Sequence, residues 1–322
     1  MARNQKFLSF FIKSAQNSTI WFLPIYFFYK FAYNGDNINM LNLIVNPYAG
    51  GGLAKNNTKI ITKYLKKEKI PYLVYFCEKE SDVEDFVGEL FKSGEKEFVL
   101  IGGDGTIHKF ANSVDLSKVN FGVVPSGNFN NFAKTVGLEF NAIKAIEKIL
   151  EQNIEHFDYI KCGDISAVNY IAIGCIEEIK HKLKDEKHKP NSFDYLKNLN
   201  KCSPLELTIQ NKDVKDKNKL VNECYVANGI YKDRSKISPL SNMQDGLFNL
   251  ICVTNNGKRK ISDYLKIKRG KHIYNDQNNT YWLETATITS TNTPLKVEID
   301  GELYEMDKLE ISTVEGGLNL YL

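Results

Sequence analysis

Residues 98–106 read FVLIGGDGT, an apolar run that passes without a break into glycines, an aspartate and a threonine. Four successive apolar residues ending on glycine predict a fully buried strand feeding a tight turn, as in a parallel sheet. Glycines let a backbone approach an anion closely, and a helix starting just after such a turn offers N–H groups with no carbonyl ahead of them. Asp104 could then hold a magnesium ion bridging phosphate oxygens. Alone, the same five residues are equally a plain tight turn.

Working outward, two more loops of this kind appear. Residues 40–46, MLNLIVN, predict a strand followed by PYAGGG, and a helix-periodic stretch runs from Leu53 to Lys69. Residues 121–124 predict another strand, followed by Pro125-Ser126-Gly127-Asn128-Phe129-Asn130-Asn131. Strand candidates at 72–77 and helical ones at 82–92, 107–113 and 141–152 complete a strand–helix alternation from about 39 to 155. That alternation implies a parallel sheet covered on both faces, with ligand loops at its carboxyl edge. Neither GxGxxG spacing nor a GK[ST] ending is present, so the loops form neither a dinucleotide fingerprint nor a P-loop.

From about residue 156 the pattern changes to extended runs at 205–210, 220–229, 248–253, 282–290 and 295–299, which predicts strand-dominated layers. Helical interruptions are expected at 175–188, 192–200 and 258–268. The lysine-rich stretches at 180–190 and 212–219 read as charged surface segments or connections.

Composition bounds the rest. The chain has 322 residues, 43% hydrophobic and 25% charged, enough for one large or two medium domains. A net charge of +3 is too even to suggest a nucleic-acid partner. The excess is local: residues 1–34 carry Arg3, Lys6, Lys13 and Lys30 and no acid, together with Trp21, three tyrosines and seven phenylalanines. The longest uncharged stretch there, 14–29, contains Pro24 and is too short for a comfortable span. Two readings stay open for it: an interfacial helix or helix pair seated on anionic headgroups, or a segment packed on the protein's own surface or in a dimer contact. The six scattered cysteines contain no CxxC and read as reduced core thiols in a reducing compartment. The histidines show no metal spacing, and no GxSxG elbow is present.

The ordered set NPYAGG, VLIGGDGT, GVVPSGNFNNFAK, MQDGLFNL and VEIDGE resembles the diacylglycerol kinase catalytic family, which includes bacterial soluble lipid kinases and is related to sphingosine kinases and NAD kinases. The resemblance runs from about residue 40 to the C-terminus. It implies an α/β nucleotide-binding domain with a parallel sheet (37–155), a β-sandwich-like lipid-substrate domain (156–303) and C-terminal strands (304–322) returning to the first domain, with 1–36 as the basic aromatic segment. The implied activity is ATP- and Mg2+-dependent phosphorylation of a lipid hydroxyl, diacylglycerol first among acceptors, by a cytoplasmic protein peripheral at the inner face of the membrane. Apolar residues of the second domain are expected to hold acyl chains. Sphingosine or a soluble acceptor such as NAD is the alternative, and a degenerate nucleotide- or lipid-binding protein is another. Nothing in the chain fixes a homodimer interface, though one through the second domain is compatible with it.

Residue by residue, the resemblance puts Asn46, Gly50, Gly51, Gly52, Gly102, Gly103, Asp104, Gly105, Thr106, Ser126, Gly127, Asn128 and Asn130 around the nucleotide. It makes Asp300 the preferred base, with Glu302 and Asp104 in the reaction centre, and gives Asp245 and the Leu247 backbone a structural cation site. By local sequence alone Asp300-Gly301 is also a hairpin turn. Several positions depart from the family pattern: Lys109 for a glutamate, Ser113 for a glycine, Asn128 for threonine, Asn131 for aspartate and Ile176 for aspartate. Lys109 could contact ATP phosphate or pair with an acid. Gln244 likewise lowers the charge beside Asp245.

Overall fold

The structure is a computed structural model that describes residues 40–79, 81–183, 203–254, 261–291 and 294–322. The basic aromatic segment 1–36 and the helix expected at 192–200 lie outside the described residues.

Strands β1 (Leu41–Val45), β2 (Tyr72–Phe76), β3 (Glu97–Gly102) and β4 (Asn120–Pro125) alternate with helices α1 (Leu53–Lys67), α2 (Asp82–Lys92), α3 (Asp104–Ala111), α4 (Asn131–Val136) and α5 (Ala142–Leu150). The four strands are parallel, in the order β2-β1-β3-β4. Alternate side chains explain why both faces are covered. Leu43, Val45, Val99, Ile101 and Val124 face Ile61 and Leu65 of α1 and Ile146 and Ile149 of α5. Ile44, Phe98, Leu100, Phe121 and Val123 face Val83 and Val87 of α2 and Ile107 and Phe110 of α3. A strand buried on both sides has to be apolar throughout, and this is why FVLI reads as an uninterrupted run.

The second region is antiparallel. It comprises β5 (Ile154–Cys162), β6 (Ile165–Ala167), β7 (Tyr170–Gly174), α6 (Cys175–Leu183), β8 (Leu205–Gln210), β9 (Lys215–Val221), β10 (Glu223–Ala227) and the two-residue strands β11 (Tyr231–Lys232) and β12 (Ser235–Lys236). It continues with β13 (Phe248–Val253), α7 (Ile261–Lys268), β14 (Asn279–Leu283), β15 (Thr285–Ser290), β16 (Leu295–Ile299), β17 (Glu302–Met306) and β18 (Lys308–Tyr321). One sheet runs β14-β13-β10-β7-β16-β17; the other continues the parallel sheet as β4-β18-β15-β8-β9, with β5 on β18 and β6 on β5. Their inner faces interdigitate in a single core that includes Ile171, Ile173, Leu207, Ile209, Phe248, Leu250, Ile288 and Val297.

The C-terminal return takes the form of one long strand. The first part of β18 pairs antiparallel with β15 and β5, and its last residues pair parallel with β4. The ladder shifts register between Val314 and Leu318, where Gly316 sits at φ +59°. Such a bulge bends a strand, and here it lies between the antiparallel and the parallel pairings of β18 within one sheet. Asp158 pins the bend, accepting Gly316 N–H at 2.7 Å and Gly246 N–H at 2.8 Å.

Of the two readings of the lysine-rich stretch 212–219 the charged surface segment holds, and Lys215–Val221 forms a strand at the sheet edge. Lysines on an edge strand blunt it against pairing with another chain, and this disguises the strand in the sequence. The cysteines are not all reduced: Cys77, Cys162, Cys224 and Cys252 are buried free thiols, whereas Cys175 is disulfide-bonded. Among the described residues no helix is long and apolar enough to cross a membrane.

Candidate active site

Three of the loops at the carboxyl edge of the parallel sheet touch one another. After β1, Asn46 Oδ1 accepts Tyr48 N–H at 3.1 Å, and Gly50, Gly51 and Gly52 follow in left-handed conformations. A Cβ on Gly50 would stand 2.4 Å from the Ser126 carbonyl oxygen. Ser126 N–H donates to the Gly102 carbonyl at 2.7 Å, and a Cβ on Gly127 would lie 2.5 Å from Gly103 Cα. Only glycines permit this backbone-on-backbone contact, whatever ligand it serves. Asn130, at φ +51°, closes the third loop by accepting Gly127 N–H at 2.8 Å and donating to the Gly127 carbonyl at 3.0 Å.

Asp104 opens α3 directly above this contact. Its Oδ1 accepts Phe132 N–H at 3.1 Å, which ties the second loop to the start of α4. Burial pushes the Asp104 carboxyl above its usual range; hydrogen bonds from Asn131 and Phe132 oppose the shift, and the charges of Asp300 and Asp233 add to it. A carboxylate in that position gains from a cation beside it.

The opposite wall comes from the second region. Ile299 pairs with Glu302, so Asp300-Gly301 is a two-residue hairpin loop with φ +49° and +102°, the pattern that matches the twist of the flanking strands. The turn and the site are therefore the same residues. Asp300 Oδ1 accepts the N–H groups of Asn169 and Tyr170, both at 2.9 Å. Its Oδ2 accepts Val168 N–H at 2.7 Å and faces His108 Nδ1 at 3.4 Å. The Nε2 of that histidine meets the Tyr304 hydroxyl at 2.8 Å. Glu302 reaches towards the glycine loop, its Oε1 lying 3.7 Å from where a Cβ on Gly105 would stand.

Between the walls lies a cavity of about 610 Å³. Of the residues expected from the sequence, Asn46, Gly50, Gly103, Asp104, Gly105, Thr106, Gly127, Asn128, Asp300 and Glu302 line it, as does Asn131. Gly51, Gly52, Gly102, Ser126 and Asn130 support the loops without lining the cavity. Lys109 is half-buried on α3 and is not among the lining residues. Asp245 and Leu247 are not lining residues either; Asp245 Oδ1 accepts the Leu247 N–H at 3.0 Å. Among the described residues no group of three or more histidine, cysteine or acidic side chains is arranged to hold a metal ion.

Sequence reasoning missed the far end of the cavity, formed by Tyr170, Lys180, Asp233 and Glu298. Glu298 is buried, yet its Oε2 meets Lys180 Nζ at 2.6 Å and Lys232 Nζ at 2.9 Å, and its Oε1 accepts the Tyr170 hydroxyl at 2.8 Å. Burial alone would raise its carboxyl; the two ammonium groups win and hold it down at about 2. Lys232 also pairs with buried Glu177 at 3.2 Å. The only signal in the sequence is Glu298 at a strand position inside VEIDGE, where an apolar residue is otherwise expected.

The chemistry of the lining tests whether a nucleotide and a divalent ion fit. The lining carries five carboxylates (Asp104, Asp233, Glu298, Asp300 and Glu302) and one ammonium, Lys180. A polyphosphate would be repelled by that field unless cations came with it. Two buried lining atoms, Thr106 Oγ1 and Asn131 Oδ1, have no hydrogen-bond partner within the protein. Such orphans are rare in interiors and suit a bound polar group. The residues fit, with Asp104 and Glu302 as the carboxylates nearest the glycine loop.

Known proteins resemble this chain in sequence and in fold. Residues 40–162 match the diacylglycerol kinase catalytic domain. A Staphylococcus carnosus protein named "Putative lipid kinase" is 24% identical over 294 residues, covering 86% of this chain and 95% of that one. A Staphylococcus epidermidis protein of the same name is 29% identical over 245 residues, covering 72% and 78%. The crystal structure of a diacylglycerol kinase from Bacillus anthracis superposes with a TM-score of 0.71 at 21% identity over 89% of this chain and 98% of that one, a likeness of fold. The matched kinase domain ends with β5, so the acidic turn and the charged far end lie beyond it.

Proposed function

We propose that the protein is an ATP-dependent lipid kinase that phosphorylates a lipid hydroxyl, with diacylglycerol the first acceptor to test. The supporting observation is that three glycine loops and Asp104 share one cavity with the Asp300–Glu302 turn. In this reading the loops around Gly50, Gly103 and Gly127 cradle the phosphates of ATP against backbone N–H groups, and Asn46 and Asn128 border the nucleotide. Asp104 and Glu302 would hold the divalent ion. When bound, that ion offsets the charge on the transferred phosphoryl oxygens. Asp300 keeps the 168–170 segment, and with it the acceptor wall, fixed against α3.

The acceptor enters head first. The apolar side chains of the second region fill the interior of the sandwich, where Leu207, Phe248, Leu250 and Val297 are fully buried; in this reading the acyl chains of a lipid acceptor lie outside that core. The basic aromatic residues 1–34 suit a membrane surface that would present such a lipid. Removing them is expected to lower co-sedimentation with anionic liposomes while ATP binding is retained; equal sedimentation of both forms rejects that part of the reading.

The deciding experiment supplies labelled ATP and Mg2+ to the purified full chain, with diacylglycerol, sphingosine and NAD offered separately. Label in a lipid product supports the reading. Label in NAD redirects it to a soluble acceptor, and a folded protein that labels none of them leaves a nucleotide- or lipid-binding role.

A further inference from the structure

We propose that α7 and the β11–β12 hairpin form a docking surface for an anionic lipid bilayer; that this bilayer presents the acceptor rests on the kinase reading above. Residues 258–271 read KRKISDYLKIKRGK, seven lysines and arginines against one aspartate. The stretch is therefore +6 in a chain whose total is +3. Charge of one sign packed this densely repels itself, and an anionic partner relieves the repulsion.

The fold holds this charge against one face. α7 turns Ile267 inward, into a core shared with Ile237, Ile251 and Val253 on the outer face of the second sheet. A Cβ on Gly270 would lie 2.5 Å from the Pro239 side chain, and His272 Nε2 donates to the Ile237 carbonyl at 2.9 Å. These contacts fasten α7 to the segment that follows β12. Lys266, Lys268, Arg269 and Lys271 are left exposed, as are Arg234 and Lys236 on the hairpin. No acid lies between Leu265 and Asn275.

Apolar side chains stand out of the same surface: Leu240 is 57% exposed, Leu265 40%, Tyr274 79% and Trp282 48%. Scattered singly they would mean little. Gathered among cations, they separate an interfacial surface from a solvated basic helix, since rings and aliphatic chains enter the headgroup layer while ammonium and guanidinium groups meet lipid phosphates. A nucleic-acid partner would use the cations and leave Leu240 and Leu265 in water.

Strand register ties this surface to the cavity. Directly paired residues of adjacent strands share a sheet face, and the pairs Tyr170–Ala227, Ala227–Asn249 and Asn249–Trp282 form one row across β7, β10, β13 and β14. Tyr170 lines the far end of the cavity. At roughly 4.8 Å per strand, Trp282 stands about 14 Å from it along that face. A bilayer seated on Trp282 and α7 thus lies beside the charged end of the cavity, where a lipid hydroxyl would enter while its chains stay in the membrane.

The test compares the full chain with a variant carrying Lys268→Gln, Arg269→Gln and Lys271→Gln. Both are sedimented with vesicles of phosphatidylglycerol and phosphatidylcholine in equal parts, and with phosphatidylcholine alone. All three positions are exposed, so the melting temperatures should agree. Each basic side chain near an anionic bilayer strengthens binding several-fold, and the variant's partition coefficient on the anionic vesicles should fall about 10²-fold; on phosphatidylcholine alone the two forms should not differ. A second measurement reads the contact directly. The chain has two tryptophans, so in Trp21→Phe the emission belongs to Trp282; it should shift to the blue on anionic vesicles and be quenched by brominated lipid. Equal partitioning of variant and wild type overturns the proposal, as does Trp282 emission that neither shifts nor is quenched. Oligonucleotide binding that the variant loses, with vesicles binding neither form, overturns it in favour of a nucleic acid. In labelled-ATP assays the variant should show a raised KM for diacylglycerol presented in the anionic vesicles and wild-type kcat toward a short-chain diacylglycerol dissolved as monomer. An unchanged KM with sedimentation lost overturns the presentation of the acceptor from this face. A wild type that phosphorylates no acceptor overturns the kinase reading alone, because sedimentation and quenching do not depend on turnover.

Discussion

The two walls of the cavity solve the same problem, holding polar groups out of water, with opposite materials. The glycine-loop wall is made of backbone. Its side chains are small, its contacts are Cα against Cα, and its one acid, Asp104, is raised by burial. The far wall is made of charge: Glu298, Lys180, Lys232 and Glu177 neutralise one another in the interior and leave Asp233 at the surface of the cavity. Backbone dipoles serve an anion whose shape is constant, such as a polyphosphate. A network of fixed charges positions groups against an acceptor and makes the wall sensitive to the loss of any one member.

The sharpest way to break the comparison is on the charged side. Glu298→Gln leaves the buried Lys232 and the half-buried Lys180 without their shared carboxylate, and a loss of about 3–5 kcal/mol in unfolding free energy is expected by urea titration. Nucleotide binding by the molecules that remain folded should be unaffected, because Glu298 belongs to the other wall.

On the backbone side the effect should be on activity. Asp104→Asn is expected to cut phosphoryl transfer by about 10²–10³-fold. Burial makes the folded protein hold the Asp104 proton more tightly than the unfolded chain does, so stability from this group falls as pH rises through the ordinary carboxylate range towards its raised value. Removing the ionisable group removes that cost. Without Mg2+ the variant should melt no lower than the wild type, and Mg2+ should raise the wild-type melting temperature but not the variant's.

A smaller effect tests the contact between loops. Gly127→Ala puts a methyl 2.5 Å from Gly103 Cα. A stability loss of about 1–3 kcal/mol is expected, with weakened ATP-analogue binding in the same variant. Unaltered binding would mean that the loops can separate without harm to the site.

The mildest probe is acid. The Glu298 carboxyl is held at about 2 against an ordinary 4.5. The stability it contributes is therefore fully present above pH 4.5 and is lost as pH falls towards 2. Urea midpoints taken across that window should fall in the wild type and show a smaller change in Glu298→Gln.

The same contrast explains what was legible in the sequence. FVLIGGDGT, NPYAGGG and PSGNFNN announce themselves because strand, turn and glycine are neighbours along the chain, so local sterics carry the signal. The hairpin reading of Asp300-Gly301 holds, and the same turn lines the cavity. His108 could not be assigned from its helix position; it is buried because Asp300 and Tyr304, far along the chain, close over it. The edge strand Lys215–Val221 was hidden by the lysines that protect it. Lys109, conspicuous as a reversed charge, stands outside the lining of the cavity.

The sequence by itself determined the strand–helix order, the three glycine loops and the acidic hairpin, since each depends on residues a few positions apart. Only the tertiary structure decided that Glu298, Lys180, Lys232 and Asp233 share one wall. Their partnership rests on Coulomb attraction across three separate elements, and attraction between residues far apart in the chain acquires a value only once folding has removed the water between them.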